Sequence, residues 1–272
     1  MVTNNWDESA ELDKLAELSI KTGVALQPGQ DLLITAPLEA APLVRRLTFH
    51  AYKQGCGIVT PFYTDPEVTL IRYRTAGEET FDKSTDWLFD AMGAAFDQNT
   101  ARLAVVGEDP MLLSGQNVDY IGRANQAVSK ASSPVRERIT RFDVNWNIIA
   151  WPGTQWAKRV FPNLEEGEAQ KQLAKAIFQA SRLEGKDPIE NWNLHNNNLR
   201  ERTNWLNEKN FNALHFYGGG TDLKVGLAVG HEWMGGASKA RNGITCNPNI
   251  PSEEVFTTPH ALKVDGHVKS TK

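Results

Sequence analysis

Cysteine is nearly absent from this sequence: Cys56 and Cys246 are the only two in 272 residues. They lie far apart and form no CxxC or Cys/His cluster, which excludes a disulfide-stapled scaffold and a zinc finger. Long apolar runs are also absent, and no stretch approaches the roughly 20 residues that a membrane helix needs. With a mean hydropathy of -0.43, the sequence predicts no transmembrane segment and no membrane partner.

An excess of charge of one sign is missing as well. The 29 Lys and Arg residues nearly balance the 33 Asp and Glu residues, for a formal net charge of -4. This balance disfavours a general nucleic-acid or anionic-membrane binder and favours a small partner. Because the N-terminus has neither the cationic start nor the apolar core of a secretory signal, we expect a cytoplasmic location.

What the sequence does contain is an alternation of helical and strand patterns. Residues 9–24 carry apolar side chains at the spacing of an amphipathic helix, namely Leu12, Leu15, Ala16, Leu18 and Ile20. The apolar run 32–36 predicts a buried strand, residues 38–54 a helix, and residues 57–63 a second strand. Strand, helix and strand at this length predict a βαβ unit with two parallel strands.

The alternation continues along the chain. Helices at 84–97 and 117–130 precede apolar strands at 101–107 and 145–150, which predicts an α/β fold with an open, mostly parallel sheet and flanking helices. Residues 164–211 are mainly helical, and 213–216 with 223–227 form a predicted hairpin. We therefore expect an α/β domain at 1–211 and a strand-rich segment at 212–272.

Two adjacent carboxylates, Glu253 and Glu254, stand in a proline-braced loop. Pro248, Pro251 and Pro259 restrict the backbone, so the loop is stiff without being helical. Neighbouring carboxylates repel each other, and a bound cation would offset that charge. An exposed acidic turn is the alternative that spacing alone leaves open.

Other candidate motifs fail. His231-Glu232 begins like the zinc-protease motif His-Glu-x-x-His, but Gly235 replaces the second histidine. The run Gly218–Asp222 has no following Lys-Ser/Thr and is better explained as a tight turn than as a phosphate cradle.

The segment Asn247–His260 resembles the signature of the thermophilic metallo-aminopeptidases, the aminopeptidase T, AmpS and PepS family. Weaker resemblances in the same order support it. They are the segments 12–20, 34–40, 144–147, 156–162, 176–180, 206–209 and 215–227.

The resemblance implies a metal-dependent aminopeptidase that releases N-terminal amino acids from peptides, and a homodimer when full length. It implies two divalent ions per complete active site (Zn, Co, Mn or Mg), with Glu254 as a metal ligand, Glu253 as the alternative, and no assigned catalytic residue. In the family the remaining ligands lie beyond the point that corresponds to Lys272. We therefore expect the present chain to be a truncated form that is inactive by itself.

A non-catalytic module derived from this family, which binds a small ligand or assembles with other chains, is the alternative function. The final alternating stretch, Leu262–Val268, predicts a strand with an unpaired edge. We expect residues 1–211 to form a protease-resistant core and the following residues to be cut first.

Overall fold

The computed structural model of the chain describes residues 10–270. Ser9, at which the sequence predicts the first helix to begin, lies outside the described residues, and so does the rest of the N-terminal segment 1–9. The helices are α1 (Ala10–Leu18), α2 (Ala41–Lys53), α3 (Pro66–Thr75), α4 (Asp86–Asp97), α5 (Val118–Thr140), α6 (Thr154–Val160), α7 (Glu166–Ala180) and α8 (Pro188–Lys209). A π-helical turn, Ser19–Gly23, continues α1, and 3-10 turns lie at Leu38–Ala40 and Glu78–Asp82.

The strands fall into longer and shorter ones. The longer strands are β1 (Leu32–Pro37), β2 (Val59–Thr64), β3 (Ala101–Val106), β4 (Trp146–Ala150), β5 (Ala213–Gly218), β6 (Thr221–Leu227) and β12 (Pro259–His267). The two-residue strands are β7 (Met234–Gly235), β8 (Ser238–Lys239), β9 (Thr245–Cys246), β10 (Asn249–Ile250) and β11 (Val255–Phe256).

Five strands form a parallel sheet in the order β10-β4-β3-β1-β2. The predicted α/β class with an open parallel sheet and flanking helices is confirmed, as is the predicted parallel pairing of the first two strands. The fifth strand, β10, was not predicted, because two residues within a proline-rich loop carry no strand periodicity.

Burial along the sheet follows strand position. In the interior strand β1, Leu32 and Ile34 are fully buried, as expected for a parallel strand covered on both faces. The edge strand β2 is largely exposed and contains Pro61. Proline lacks an amide hydrogen, so it is tolerated at a sheet edge where no outer neighbour needs that donor.

The predicted inward faces of the first two helices are confirmed. All five apolar residues named for the first helical segment are buried, and so are Leu43, Val44, Leu47 and Ala51 of α2. The 3.6-residue period is a strong signal where one helical stripe packs against a core.

The predicted end of α5 near residue 130 was wrong, because the helix continues to Thr140 with Pro134 inside it. Tertiary contacts offset the hydrogen bond that proline forfeits. Val135 packs with Phe96 and Val144, and Arg138 forms a bidentate ion pair with Asp97. Helices α3 and α6 were not predicted at all.

The chain divides into two compact units. The first comprises residues 10–191 with 239–251, and the second comprises 192–238 with 252–270. The predicted boundary between residues 211 and 212 does not coincide with this division. That residues 1–211 fold as one domain stays a prediction.

The second unit contains the predicted hairpin, β5 and β6, which β12 extends to a three-stranded antiparallel sheet. Opposed residues share a face, so Leu214, Val225 and Val264 lie on one side, and His215 and Lys224 lie on the other. Val264 keeps 53% of its surface exposed. Among the described helices, none combines the length and the apolar character required to cross a membrane.

Candidate metal-binding loop

The first half of the signature segment is fixed to the parallel sheet. Asn249 and Ile250 pair with Ile148 and Ile149 of β4, and the amide of Ile148 donates to the carbonyl oxygen of Pro248 at 2.7 Å. A proline carbonyl remains a full acceptor although its nitrogen cannot donate. The loop thus begins as an added strand of a rigid sheet.

Asparagine side chains complete this attachment. The amide of Asn147, on β4, donates from Nδ2 to the carbonyl oxygen of Asn247 at 2.7 Å. The backbone amide of Asn247 donates to the carbonyl oxygen of Gly23 at 2.8 Å. Asn147 and Asn247 are buried, so these bonds satisfy main-chain groups that water does not reach.

Gly23 must be a glycine for this arrangement. A Cβ atom there would lie 2.7 Å from Oδ1 of Asn147, well inside contact distance. The glycine therefore permits the close approach of the π-helical turn to the side chain that holds Asn247.

Cys246 lies directly before this anchor and is buried. Its Sγ atom is 3.5 Å from the carbonyl oxygen of Trp146. Burial raises the pKa of the Cys246 thiol to about 11. A thiol held in its neutral form is a packing group and a poor nucleophile.

The second half of the segment belongs to the second unit and carries the two carboxylates. The peptide bond between Ile250 and Pro251 is cis, and Ser252 is buried. The Glu253 side chain is 59% exposed, and Glu254 is also exposed. Oε2 of Glu254 accepts a hydrogen bond from the Glu253 amide at 3.0 Å, so this carboxylate turns back toward its own backbone.

His195, on α8, is a side chain that meets this loop. Its Nε2 atom lies 2.6 Å from the carbonyl oxygen of Ser252 and 4.0 Å from Oε2 of Glu253. Only 11% of the imidazole is exposed, and its ring packs edge-on against buried Trp192 at 5.4 Å. The polar sequence around this histidine did not indicate the contact.

Downstream of the carboxylates the loop is held by a short antiparallel ladder. Val255 and Phe256 of β11 pair with Gly235 and Met234 of β7. The Thr257 hydroxyl donates to the carbonyl oxygen of Glu232 at 2.6 Å. The carboxylates therefore lie between anchors on both sides.

Other polar side chains of α8 bind main-chain groups in the same unit. Oδ1 of Asn196 accepts from the amide of Ala237, and Asn207 exchanges two hydrogen bonds with the backbone of Trp233. The asparagine-rich helix is thus a source of backbone anchors. Composition suggested only a polar helix, because the partners are remote in sequence.

The remaining candidate histidines have hydrogen-bond partners other than Glu253 and Glu254. His215 forms a 2.8 Å hydrogen bond with Asp222 on the exposed hairpin, and Nδ1 of His231 contacts the Ala228 carbonyl. His260 accepts from the amide of Leu262. Across residues 10–270, no group of three or more His, Cys, Asp or Glu side chains is arranged to hold a metal ion.

Comparison with known proteins identifies relatives of the whole described region. The family model described as thermophilic metalloprotease (M29) matches residues 8–272. Aminopeptidase T of Thermus thermophilus is 47% identical over 96% of this chain and 64% of its own length. Aminopeptidase 2 of Geobacillus stearothermophilus is 39% identical over 99% of this chain and 65% of its length.

The fold agrees with a solved relative. The structure titled wild-type AmpT from Thermus thermophilus superimposes with a TM-score of 0.89 at 46% identity. The match covers 94% of this chain and 63% of that one. The chain thus spans a little under two thirds of the length of these relatives.

Proposed function

Because the chain belongs to the thermophilic metalloprotease (M29) family, we propose that the protein acts as a metal-dependent aminopeptidase that releases N-terminal amino acids from peptides. The observation that carries the proposal is the 47% identity with Aminopeptidase T over 96% of the chain. Similarity of this extent, with the same fold at a TM-score of 0.89, favours a shared reaction more strongly than fold alone.

The metal ligands proposed in this chain are Glu254 and, as the alternative, Glu253. Carboxylate oxygens suit zinc, cobalt, manganese and magnesium, and two such ions per complete active site are proposed. The described residues do not by themselves form such a centre, because they contain no suitable group of three ligands. No catalytic step is therefore assigned to residues of this chain.

The two carboxylates are placed differently, which bears on the choice between them. Glu253 lies beside His195, whereas Glu254 accepts a hydrogen bond from the backbone next to it. Adjacent residues on an extended backbone point to opposite sides. We accordingly propose that one of the two faces the ions, and we favour Glu254, whose backbone contact a cation could replace.

Further proposals concern the substrate, the oligomeric state and the cellular location. We propose a peptide substrate, a homodimer for the full-length protein and a cytoplasmic location, with neither nucleic acid nor membrane as partner. We also propose that the residues of this chain do not by themselves support peptidase activity, because those that the structure describes contain no group of three metal ligands.

A second candidate is a non-catalytic module that binds a small ligand or assembles with other chains. The apolar face of the three-stranded sheet favours it, because Phe216 and Val264 are 50% and 53% exposed there. A contiguous exposed apolar patch on a sheet face is a feature of association surfaces.

One experiment separates these functions. The purified chain is stripped with chelator, loaded with Zn²⁺, Co²⁺, Mn²⁺ or Mg²⁺, and its bound metal is measured beside turnover of an aminoacyl reporter. If the chain binds metal and the Glu254→Gln variant binds it more weakly, the metallopeptidase assignment is supported. If the chain binds no stoichiometric metal and self-associates through Phe216 and Val264, the non-catalytic module is the supported function. Chelator-sensitive turnover by this chain would contradict its proposed inactivity.

A further inference from the structure

On the N-terminal side of the Glu253–Glu254 loop, within the second unit, His195 acts as a side-chain anchor. Its Nε2 atom lies 2.6 Å from the Ser252 carbonyl oxygen. A carbonyl oxygen can only accept, so Nε2 must carry the hydrogen. The contact therefore specifies both the ring orientation and its tautomer.

The imidazole is itself held in place. Trp192 is fully buried one helical turn before His195, and the two rings meet edge-on at an interplanar angle of 89°. Residues three apart on a helix share a face, so α8 supplies both the histidine and its packing surface. With 11% of its side chain exposed, His195 has little freedom to rotate away from Ser252.

We propose that His195 is a positioning residue for the carboxylate pair: by holding the Ser252 carbonyl, it fixes the backbone from which Glu253 and Glu254 project. The metal-binding role of the positioned glutamates rests on the proposed function, whereas the contact between His195 and Ser252 does not depend on it. Ser252 directly precedes Glu253, and the ladder of β11 with β7 holds the chain again at Val255. The two glutamates are thereby confined between fixed points on either side of them.

Fixed points this close restrict where the carboxylates can lie. A ligand that is ordered before the ion arrives loses less conformational freedom on binding. Loss of the His195 contact should release the loop on one side only, with β11 still paired.

The test compares three variants of the chain in metal-free buffer by amide hydrogen exchange. His195→Leu keeps an apolar side chain of similar size but removes the donor, and His195→Gln keeps an N–H group near the position of Nε2. Asn193→Leu changes an exposed residue of the same helix and serves as the matched control.

We expect His195→Leu to speed exchange at the amides of residues 252–254 by about fivefold, as loss of one net hydrogen bond predicts, while the amides of β11 stay protected. His195→Gln should restore most of the protection, and Asn193→Leu should leave it unchanged. Equal acceleration by Leu and Gln would overturn the proposal, because lost packing and not lost hydrogen bonding would then explain the effect. So would ¹⁵N spectra showing a ring hydrogen on Nδ1 and none on Nε2.

A second measurement separates this inference from the proposed function. Zn²⁺ binding is compared in the same variants, and affinity should fall in His195→Leu and recover in His195→Gln. If the parent chain binds no Zn²⁺, the metallopeptidase assignment loses support while the exchange result still decides the role of His195. If Zn²⁺ binds equally to all variants, the assignment stands and His195 has no positioning role.

Discussion

Asn147 donates from its side chain to the carbonyl oxygen of Asn247, 100 residues later in the sequence. The bond joins strand β4 to the first half of the signature segment. Both residues are buried, so neither group has water as an alternative partner. Substitution of Asn147 should therefore lower the free energy of unfolding.

We expect Asn147→Asp to lower the free energy of unfolding by about 3 kcal/mol near neutral pH, because it places a buried carboxylate against a carbonyl oxygen. The shape of the side chain is unchanged, so packing does not account for the loss. Urea unfolding monitored by circular dichroism measures the effect. Asn193→Asp, at an exposed position, should stay within about 0.5 kcal/mol of the parent chain, and an equal loss in both variants would contradict the explanation.

The thiol of Cys246 predicts a pH dependence. Its pKa is raised by burial from the usual 9.0 to about 11, so the unfolded chain loses this proton at a lower pH than the folded chain. Stability is then fully retained below pH 9 and declines as the pH rises from 9 toward 11. We expect Cys246→Ala to flatten this part of the stability profile. An unchanged slope across the same interval would show that other groups cause it.

The choice between the two glutamates can be tested in a chimera that joins this chain to the part of Aminopeptidase T following the matched region. Glu254→Gln should abolish nearly all hydrolysis of an aminoacyl reporter, because the amide keeps the shape but loses the charge that neutralises a cation. Glu253→Gln should reduce the rate less. The opposite ranking would assign the ligand role to Glu253, and normal rates in both variants would eliminate the site.

Hydrogen exchange should distinguish two segments that lie near each other in sequence. The amide of Asn247 donates to Gly23, and residues 249–250 pair with β4, whereas residues 261–267 of β12 are exposed. We expect Asn247 to exchange at least about tenfold more slowly than the amides of 261–267. Limited proteolysis should likewise begin at Gly218–Gly220 or within β12. Comparable exchange rates would mean that the second unit is as stable as the sheet.

The parallel sheet and the two N-terminal helices could be predicted because their signals are local. Leu32 and Ile34 belong to one apolar run, and Leu43 and Leu47 lie one helical turn apart. The length of α5 could not be predicted, because Pro134 locally favours a helix end, whereas the packing of Val135 with Phe96 and Val144 is tertiary. The pairing of β10 with β4 depends on residues that lie far apart in the chain, which no local pattern encodes.

The candidate site divides in the same way. Glu253 and Glu254 could be singled out from their own neighbourhood, since prolines on both sides predict a stiff loop. His195 could not, because its partner, Ser252, is 57 residues away and contributes only a backbone carbonyl. Every residue has a backbone carbonyl, so the residue type at position 252 does not reveal that its carbonyl accepts a hydrogen bond from His195. The sequence therefore shows only a histidine in a polar helix.

The return of residues 239–251 to the first unit sets an order for folding during synthesis. Four strands of the sheet are available once Ala150 has left the ribosome, but β10 is made only after the helix and hairpin of the second unit. Since chains emerge at roughly 5–20 residues per second, the incomplete sheet must persist for several seconds with the β4 edge uncovered. The nascent chain is therefore most open to mispairing or chaperone capture while residues 151–248 are emerging from the ribosome.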